Sequence, residues 1–254
     1  MNVRGQITLY IILGIVILVV IGIVFFLKSN IINSLLNQEQ QKIKEVPPQV
    51  QVVNDFVQNC LELTSKDALY IIGQQGGYFV IPNLSTSNGI SYYFYNNKPY
   101  IPSKEIIENE ISKYIDWGLV SCTDNFVDFS EFKINQGNVK AKTSISDNKT
   151  LIEIEYLLII NKGQVNYQLK NFNTELPIRL GIIYNVSKTI INKQVENPNN
   201  ICLSCILELE YDNNLVVGMT NYGNNTMIYM LADTKSLLNR DPYNFVFAVG
   251  LEDE

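Results

Sequence analysis

The chain has 254 residues and a formal net charge of −6, and charged residues make up only 17% of it, against roughly a quarter in ordinary soluble domains. There is no basic surplus to neutralise a phosphate backbone, which argues against a nucleic-acid partner. There is also no histidine, which excludes Ser-His and Cys-His nucleophiles, imidazole acid–base chemistry and His-ligated metals. Asparagine and tyrosine fill the gap, with 31 Asn and 15 Tyr. Two readings of this bias stand: a weakly charged contact surface, in which both residue types are common, or the compositional drift of a low-GC genome.

The first element is a run of 21 residues from Ile7 to Leu27 without a charge, 17 of them Ile, Leu, Val or Phe. As a helix it spans roughly 31 Å, the thickness of a bilayer core, so residues 7–27 are predicted to cross the membrane. Lys28-Ser29-Asn30 follows the run in place of a small-residue cleavage site, which separates it from a secretory signal. Arg4 and the α-amino group lie on the short side, so the positive-inside rule places residues 1–6 in the cytoplasm and the remainder outside. Ile31, Ile32, Leu35 and Leu36 keep helical spacing into an increasingly polar stretch that Pro47-Pro48 must end, giving a helical stalk over residues 28–47.

The flanking residues Arg4-Gly5-Gln6-Ile7-Thr8-Leu9 resemble the class III signal peptide of archaeal type IV pilin-like proteins. That resemblance implies cleavage between Gly5 and Gln6, retention of the apolar helix and packing of the subunit into a surface filament. Tyr10 stands where family members commonly carry Glu. A plain membrane anchor preceded by one basic residue is the alternative.

The head, residues 48–254, opens with an amphipathic helix on which Val53, Phe56, Val57, Cys60, Leu61, Thr64, Ala68, Ile71 and Ile72 share a face. It is expected to stop at Gly73, before a loop, Gln74 to Tyr78. Tyr92–Tyr95 and Tyr100-Ile101 flank Asn96-Asn97 as an aromatic hairpin. Ser103 caps a helix expected to run to about Trp117, with Gly118 closing it. Strands are expected over 129–134, 138–145, 151–160 and 164–169. In the third of these Glu153 and Glu155 alternate outward against Ile152 and Ile154. A helix carries Leu180, Ile183, Val186, Ile190 and Ile191, and a meander of strands over 215–221, 226–231 and 243–249 closes the chain. The fold class read from this order is α+β, with helices packed on antiparallel sheet.

Cys60-Leu61-Glu62, Gln75-Gly76-Gly77-Tyr78, the Tyr92–Tyr95 aromatics, Pro102-Ser103-Lys104 and Cys122 together resemble an uncharacterised group of archaeal single-pass proteins over residues 1–125. The resemblance implies location and anchoring and carries no chemistry.

Four cysteines allow three disulfide connectivities. Cys60 lies on the apolar stripe of one helix and Cys122 follows the next. They form either a disulfide, adding about 3–4 kcal/mol by closing a long loop, or two separate buried thiols. Cys202-Leu203-Ser204-Cys205 has Cys-x-x-Cys spacing. Zinc lacks two further paired ligands, and the apolar neighbours Ile201, Leu203 and Ile206 oppose a reactive thiolate, so a structural disulfide or buried thiols is expected. Ser130-x-x-Lys133 and Ser146-x-x-Lys149 fall on strands or turns rather than at a helix start, and no phosphate loop or calcium loop is present. No cofactor, metal or catalytic residue is expected. Sequons at Asn83, Asn148, Asn185 and Asn224 suit a glycosylated, outward-facing domain.

The function these features imply is that of a membrane-anchored, extracytoplasmic structural or interaction protein, and the signal-peptide resemblance implies a pilin-like filament subunit. Its expected partners are the lipid bilayer and either further copies of itself or other surface proteins. The alternative is a membrane-tethered receptor or solute-binding head that uses Gln75, Gly76, Gly77 and Tyr78 as a contact loop beside the aromatic hairpin. An enzyme working through carboxylates alone would need two acidic side chains converging in a cleft.

Overall fold

The computed structural model describes residues 46–198, 200–223 and 225–251. The expected span 7–27, the Gly5-Gln6 processing site, the stalk before Val46 and the Asn224 sequon lie outside the described residues. Among the described residues no helix is long and apolar enough to cross a membrane.

The head starts at Pro47, and Pro48–Val50 form one tight turn in which the Val50 N–H reaches the Pro47 carbonyl at 2.9 Å. Helix α1 then runs over Gln51–Gln74, burying Val53, Val57, Cys60, Leu61, Thr64, Ala68 and Ile72 at steps of three and four. It continues one residue past Gly73. What ends it is Gly76, in the left-handed region at φ +66°, with the Gly77 N–H bonding back to the Ile72 carbonyl at 2.8 Å. This is a Schellman closure, which a residue with a Cβ would strain. The hairpin follows as β1 (Tyr92–Tyr95) and β2 (Lys98–Pro99), and Asn96 and Asn97 both take positive φ, as a type I′ turn requires.

Helix α2 spans Lys104–Thr123. Ser103 caps it as expected, its Oγ accepting the Ile106 N–H at 3.2 Å. Its end, however, lies well beyond Gly118. That glycine is where α1 and α2 approach: a Cβ there would meet Thr64 Cγ2 at 2.7 Å. Helix C-termini and helix contacts both select glycine, and at Gly118 the contact is the reason.

Strands β3 (Lys133–Ile145), β4 (Thr150–Lys162) and β5 (Val165–Leu176) form an antiparallel sheet of three. The two strands expected over 129–134 and 138–145 are one strand with an irregularity between Gln136 and Val139, and Phe129–Phe132 is a turn. On β4, Ile152, Ile154, Tyr156, Leu158 and Ile160 face the core while Glu153 and Glu155 face out. Each such fully buried apolar side chain is worth about 1.5–3 kcal/mol, and α1 and α2 supply the opposing surface.

Helix α3 (Leu180–Glu196) and an unexpected helix α4 (Leu203–Asn213) precede β6 (Val216–Gly223), β7 (Thr226–Leu238) and β8 (Asp241–Gly250). These strands join β1 and β2 in a second sheet of order β2-β1-β8-β7-β6. The expectation of purely antiparallel sheet is corrected here, because β1 runs parallel to β8. As the central strand, β8 is buried on both faces from Phe245 to Gly250, and a continuously apolar run is the corresponding sequence mark. The architecture is α+β, as the element order implied. The first sheet is stabilised against α1 and α2, and the second is joined to α3 by Arg179 and Asp233.

Candidate functional site

Helix α2 seals the open edge of β3. The Ala141 N–H donates to Asp116 Oδ1 at 2.6 Å, the Thr143 N–H to Ser112 Oγ at 3.0 Å and the Ile145 N–H to Glu108 Oε1 at 2.8 Å. Four helical residues rise about 6 Å and two strand residues about 6.7 Å, so acceptors at i, i+4 and i+8 match alternate strand amides. An edge blocked in this way cannot pair with another chain. Burial raises the Asp116 carboxyl above its ordinary value, against the lowering effect of the Ala141 amide.

The opposite side of α2 is different in character. Phe79 packs edge-on against Tyr114, with centroids at 5.1 Å, and lies 6.2 Å from Trp117, which is 62% exposed. Trp117 is the single tryptophan of the chain. Leu63 on α1 is also exposed, and with Tyr114 and Trp117 it flanks an open groove of about 310 Å³ whose floor includes Thr64, Gly118 and Cys122. Val80 and Ile81 extend the apolar surface along the chain from Phe79.

Glu110 sets this face. Its Oε2 accepts the Phe79 N–H at 3.0 Å and the Val80 N–H at 2.9 Å, and its Oε1 meets Lys113 Nζ at 2.6 Å. Burial alone would raise the Glu110 carboxyl. The lysine and the two amides together outweigh that and hold it below the ordinary glutamate value. A buried carboxylate so held fixes the segment carrying Phe79, Val80 and Ile81 onto α2.

Of the contact loop expected at Gln75–Tyr78, Gly76 and Gly77 are buried, Gln75 and Tyr78 are half-buried, and exposure begins with Val80. The Gly76 carbonyl accepts from Tyr93 Oη and Ser91 Oγ at 3.1 and 3.2 Å, so these residues close a turn. Burial raises the Tyr78 phenol, with Glu110 adding to it.

All four cysteines are paired. Cys60 in α1 bonds Cys122 in the last turn of α2, with Cα atoms 5.7 Å apart, and Cys202 bonds Cys205 at 5.3 Å. Two disulfides accord with an oxidising, extracytoplasmic setting. Asn83, Asn148 and Asn185 are exposed. The hydroxyls of two of these sequons are buried, Thr150 donating to the Ile178 carbonyl and Ser187 to the Ile183 carbonyl, so Asn83 in its loop is the most accessible of the three after folding. Among the described residues no group of three His, Cys, Asp or Glu side chains is placed to hold a metal ion.

Sequence reasoning missed the Glu110 clamp and the pairing of Arg179 with Asp233. Arg179 Nε and Nη2 donate to both Asp233 oxygens at 2.9 and 2.6 Å, and Ser236 Oγ and the Lys235 N–H complete the carboxylate's shell. Lys113 and Ser236 stand three residues from their carboxylates, but the partners that define each site, Phe79 and Val80 for Glu110 and Arg179 for Asp233, are long-range and leave no local signal. No protein family, curated protein or solved structure matches the chain.

Proposed function

We propose that this chain is a membrane-anchored extracytoplasmic interaction protein, pilin-like in its N-terminal segment, whose head presents the Phe79–Tyr114–Trp117 face to another surface polypeptide or to a second copy of itself. The exposed tryptophan beside a groove carries this reading. Soluble monomers bury or scatter such side chains, and tryptophan is enriched among residues that dominate interface energies. The apolar run 7–27 supplies the anchor and Arg4-Gly5-Gln6 supplies the likeness to processed pilin precursors. The two disulfides support a location outside the cytosol.

The groove between Leu63 and Trp117 favours a second reading, a tethered receptor for an apolar peptide. One experiment separates the two. Full-length protein, wild type and Trp117→Ser, is purified in detergent, its mature N-terminus is read by mass spectrometry, and its assemblies are viewed by electron microscopy after detergent removal. A chain beginning at Gln6 that forms helical assemblies, lost in Trp117→Ser at an unchanged unfolding midpoint, is the expected result. A chain still beginning at Met1 that stays monomeric contradicts the filament reading, and assemblies indifferent to Trp117→Ser contradict the role of this face.

A further inference from the structure

The cysteines of Cys202-Leu203-Ser204-Cys205 sit where the sequence did not place them, at the start of an 11-residue helix, with Cys202 as the N-cap of α4 and Cys205 in its first turn. We propose that Cys202–Cys205 is an exchangeable disulfide that oxidises a peptide dithiol, and that the mixed disulfide forms on Cys202.

Three observations lead to this. The first is access: both cysteines are partly exposed, whereas in the other disulfide Cys122 alone is partly exposed and Cys60 is 1% exposed. The second is the unfilled helix cap. The Leu203 N–H bonds the Ile201 carbonyl and the Ile206 N–H bonds the Cys202 carbonyl, but the Ser204 and Cys205 N–H groups find no acceptor among the described residues, and no side chain caps the helix. Those are the second and third amides of the helix, the pair an N-cap side chain normally accepts from. A Cys202 thiolate would stand in that position. The partial positive charge of the helix end favours it, which stabilises the reduced pair and makes the disulfide the more oxidising.

The third observation concerns the apolar neighbours. Leu203 and Leu207, one turn apart, are 58% and 65% exposed, so they do not desolvate the sulfurs; they offer an apolar ledge beside them for a peptide. Behind the disulfide, Ile206, Leu209 and Tyr229 close the space to about 10 Å³, which confines attack to the solvent side. Lys193 of α3 lines the same space, its ammonium held by Glu196 at 2.9 Å, and Glu210 of α4 is committed to the Val217 N–H. A three-residue separation also closes too short a loop to restrain the unfolded chain as the 62-residue separation of Cys60–Cys122 does.

In the exchange, one partner thiolate attacks Cys202 Sγ. The Cys202–Cys205 bond breaks, and Cys205 leaves as a thiolate and takes up one of the partner's thiol protons. The partner's second thiolate then attacks its own sulfur in the mixed disulfide and expels Cys202 as the thiolate held by the Ser204 and Cys205 amides; the second proton passes to solvent. The partner dithiol loses two electrons and the cysteine pair gains them.

The test uses the full chain in detergent with glutathione as probe, at graded ratios of reduced to oxidised form, read by alkylation and mass spectrometry. Cys202–Cys205 is expected to open at ratios that leave Cys60–Cys122 intact, and to exchange at least about a hundredfold faster. With oxidised glutathione, Cys205→Ser should accumulate a mixed disulfide on Cys202. Equal resistance of the two native disulfides overturns the proposal on the wild-type protein alone, whatever the variants do. Capture by Cys202→Ser in place of Cys205→Ser overturns the assignment to Cys202.

Discussion

Glu110 shows how a single side chain fixes a surface. Its carboxylate serves two backbone amides and one ammonium, and charge-assisted bonds of this kind are worth about 1.5–3 kcal/mol each when buried. Glu110→Gln keeps the shape and loses the charge. It should lower stability by about 1–3 kcal/mol and speed amide exchange at Phe79 and Val80, as measured by urea unfolding and hydrogen exchange. The pH dependence has a definite sign. Glu110 and Asp233 are both held below their ordinary values, 4.5 and 3.8; at Asp233 burial opposes this, and the Arg179, Ser236 and Lys235 hydrogen bonds outweigh it. Groups depressed in the folded state contribute fully above those values, and the contribution is lost as pH falls through the folded-state ones. Unfolding midpoints should therefore fall below about pH 5, less steeply than these two groups alone would give because Asp116, raised by burial, has the opposite sign, and Glu110→Gln should flatten part of that fall. Asp233→Asn, which leaves Arg179 without its counter-ion in a buried site, should cost about 3–5 kcal/mol at neutral pH. Only the spacing of Glu110 with Lys113 and of Asp233 with Ser236 was legible in the sequence, because the partners that decide both sites, Phe79, Val80 and Arg179, lie tens of residues away and meet them only once the chain is closed.

At the scale of elements the sequence was more informative, and the misses have causes. The Ser103 cap, the Asn96-Asn97 turn, the alternation along β4 and the stripe on α3 are local signals, and each matches the element formed there. Gly118 suits a helix end as well as a helix contact, because glycine has two uses in helices. The structure selects close approach, with Thr64 Cγ2 at 2.7 Å from where a Cβ would stand. Gly118→Ala should therefore cost about 1–3 kcal/mol despite its better helix propensity, and adding Thr64→Ser, which removes that methyl, should restore most of it. A double-mutant cycle by urea unfolding reads the coupling. Helix α4 escaped notice because Leu203, Leu207 and Tyr211, which do fall at helical spacing, point into solvent and leave only Ile206 buried. A reading that looks for a core-facing stripe passes over such a helix. The parallel pairing of β1 with β8 joins residues some 150 positions apart, and the aromatic stack of Tyr93, Phe247 and Tyr229 that secures it has no local signature either.

For the molecule as a whole, the disulfide Cys60–Cys122 ties α1 to the end of α2 beneath the Trp117 groove. Cys60→Ser with Cys122→Ser should lower stability by about 3–4 kcal/mol in chemical denaturation, through the unfolded state more than through lost contacts. An oxidising compartment maintains that contribution, which accords with the proposed location. The proposed anchoring has residues 7–27 in the membrane and the head outside. Protease added to intact cells, with the head followed by an antibody and a cytosolic protein as control, tests it directly. Loss of the head signal while the control is untouched is expected; a head that survives until the cells are lysed rules out an external head.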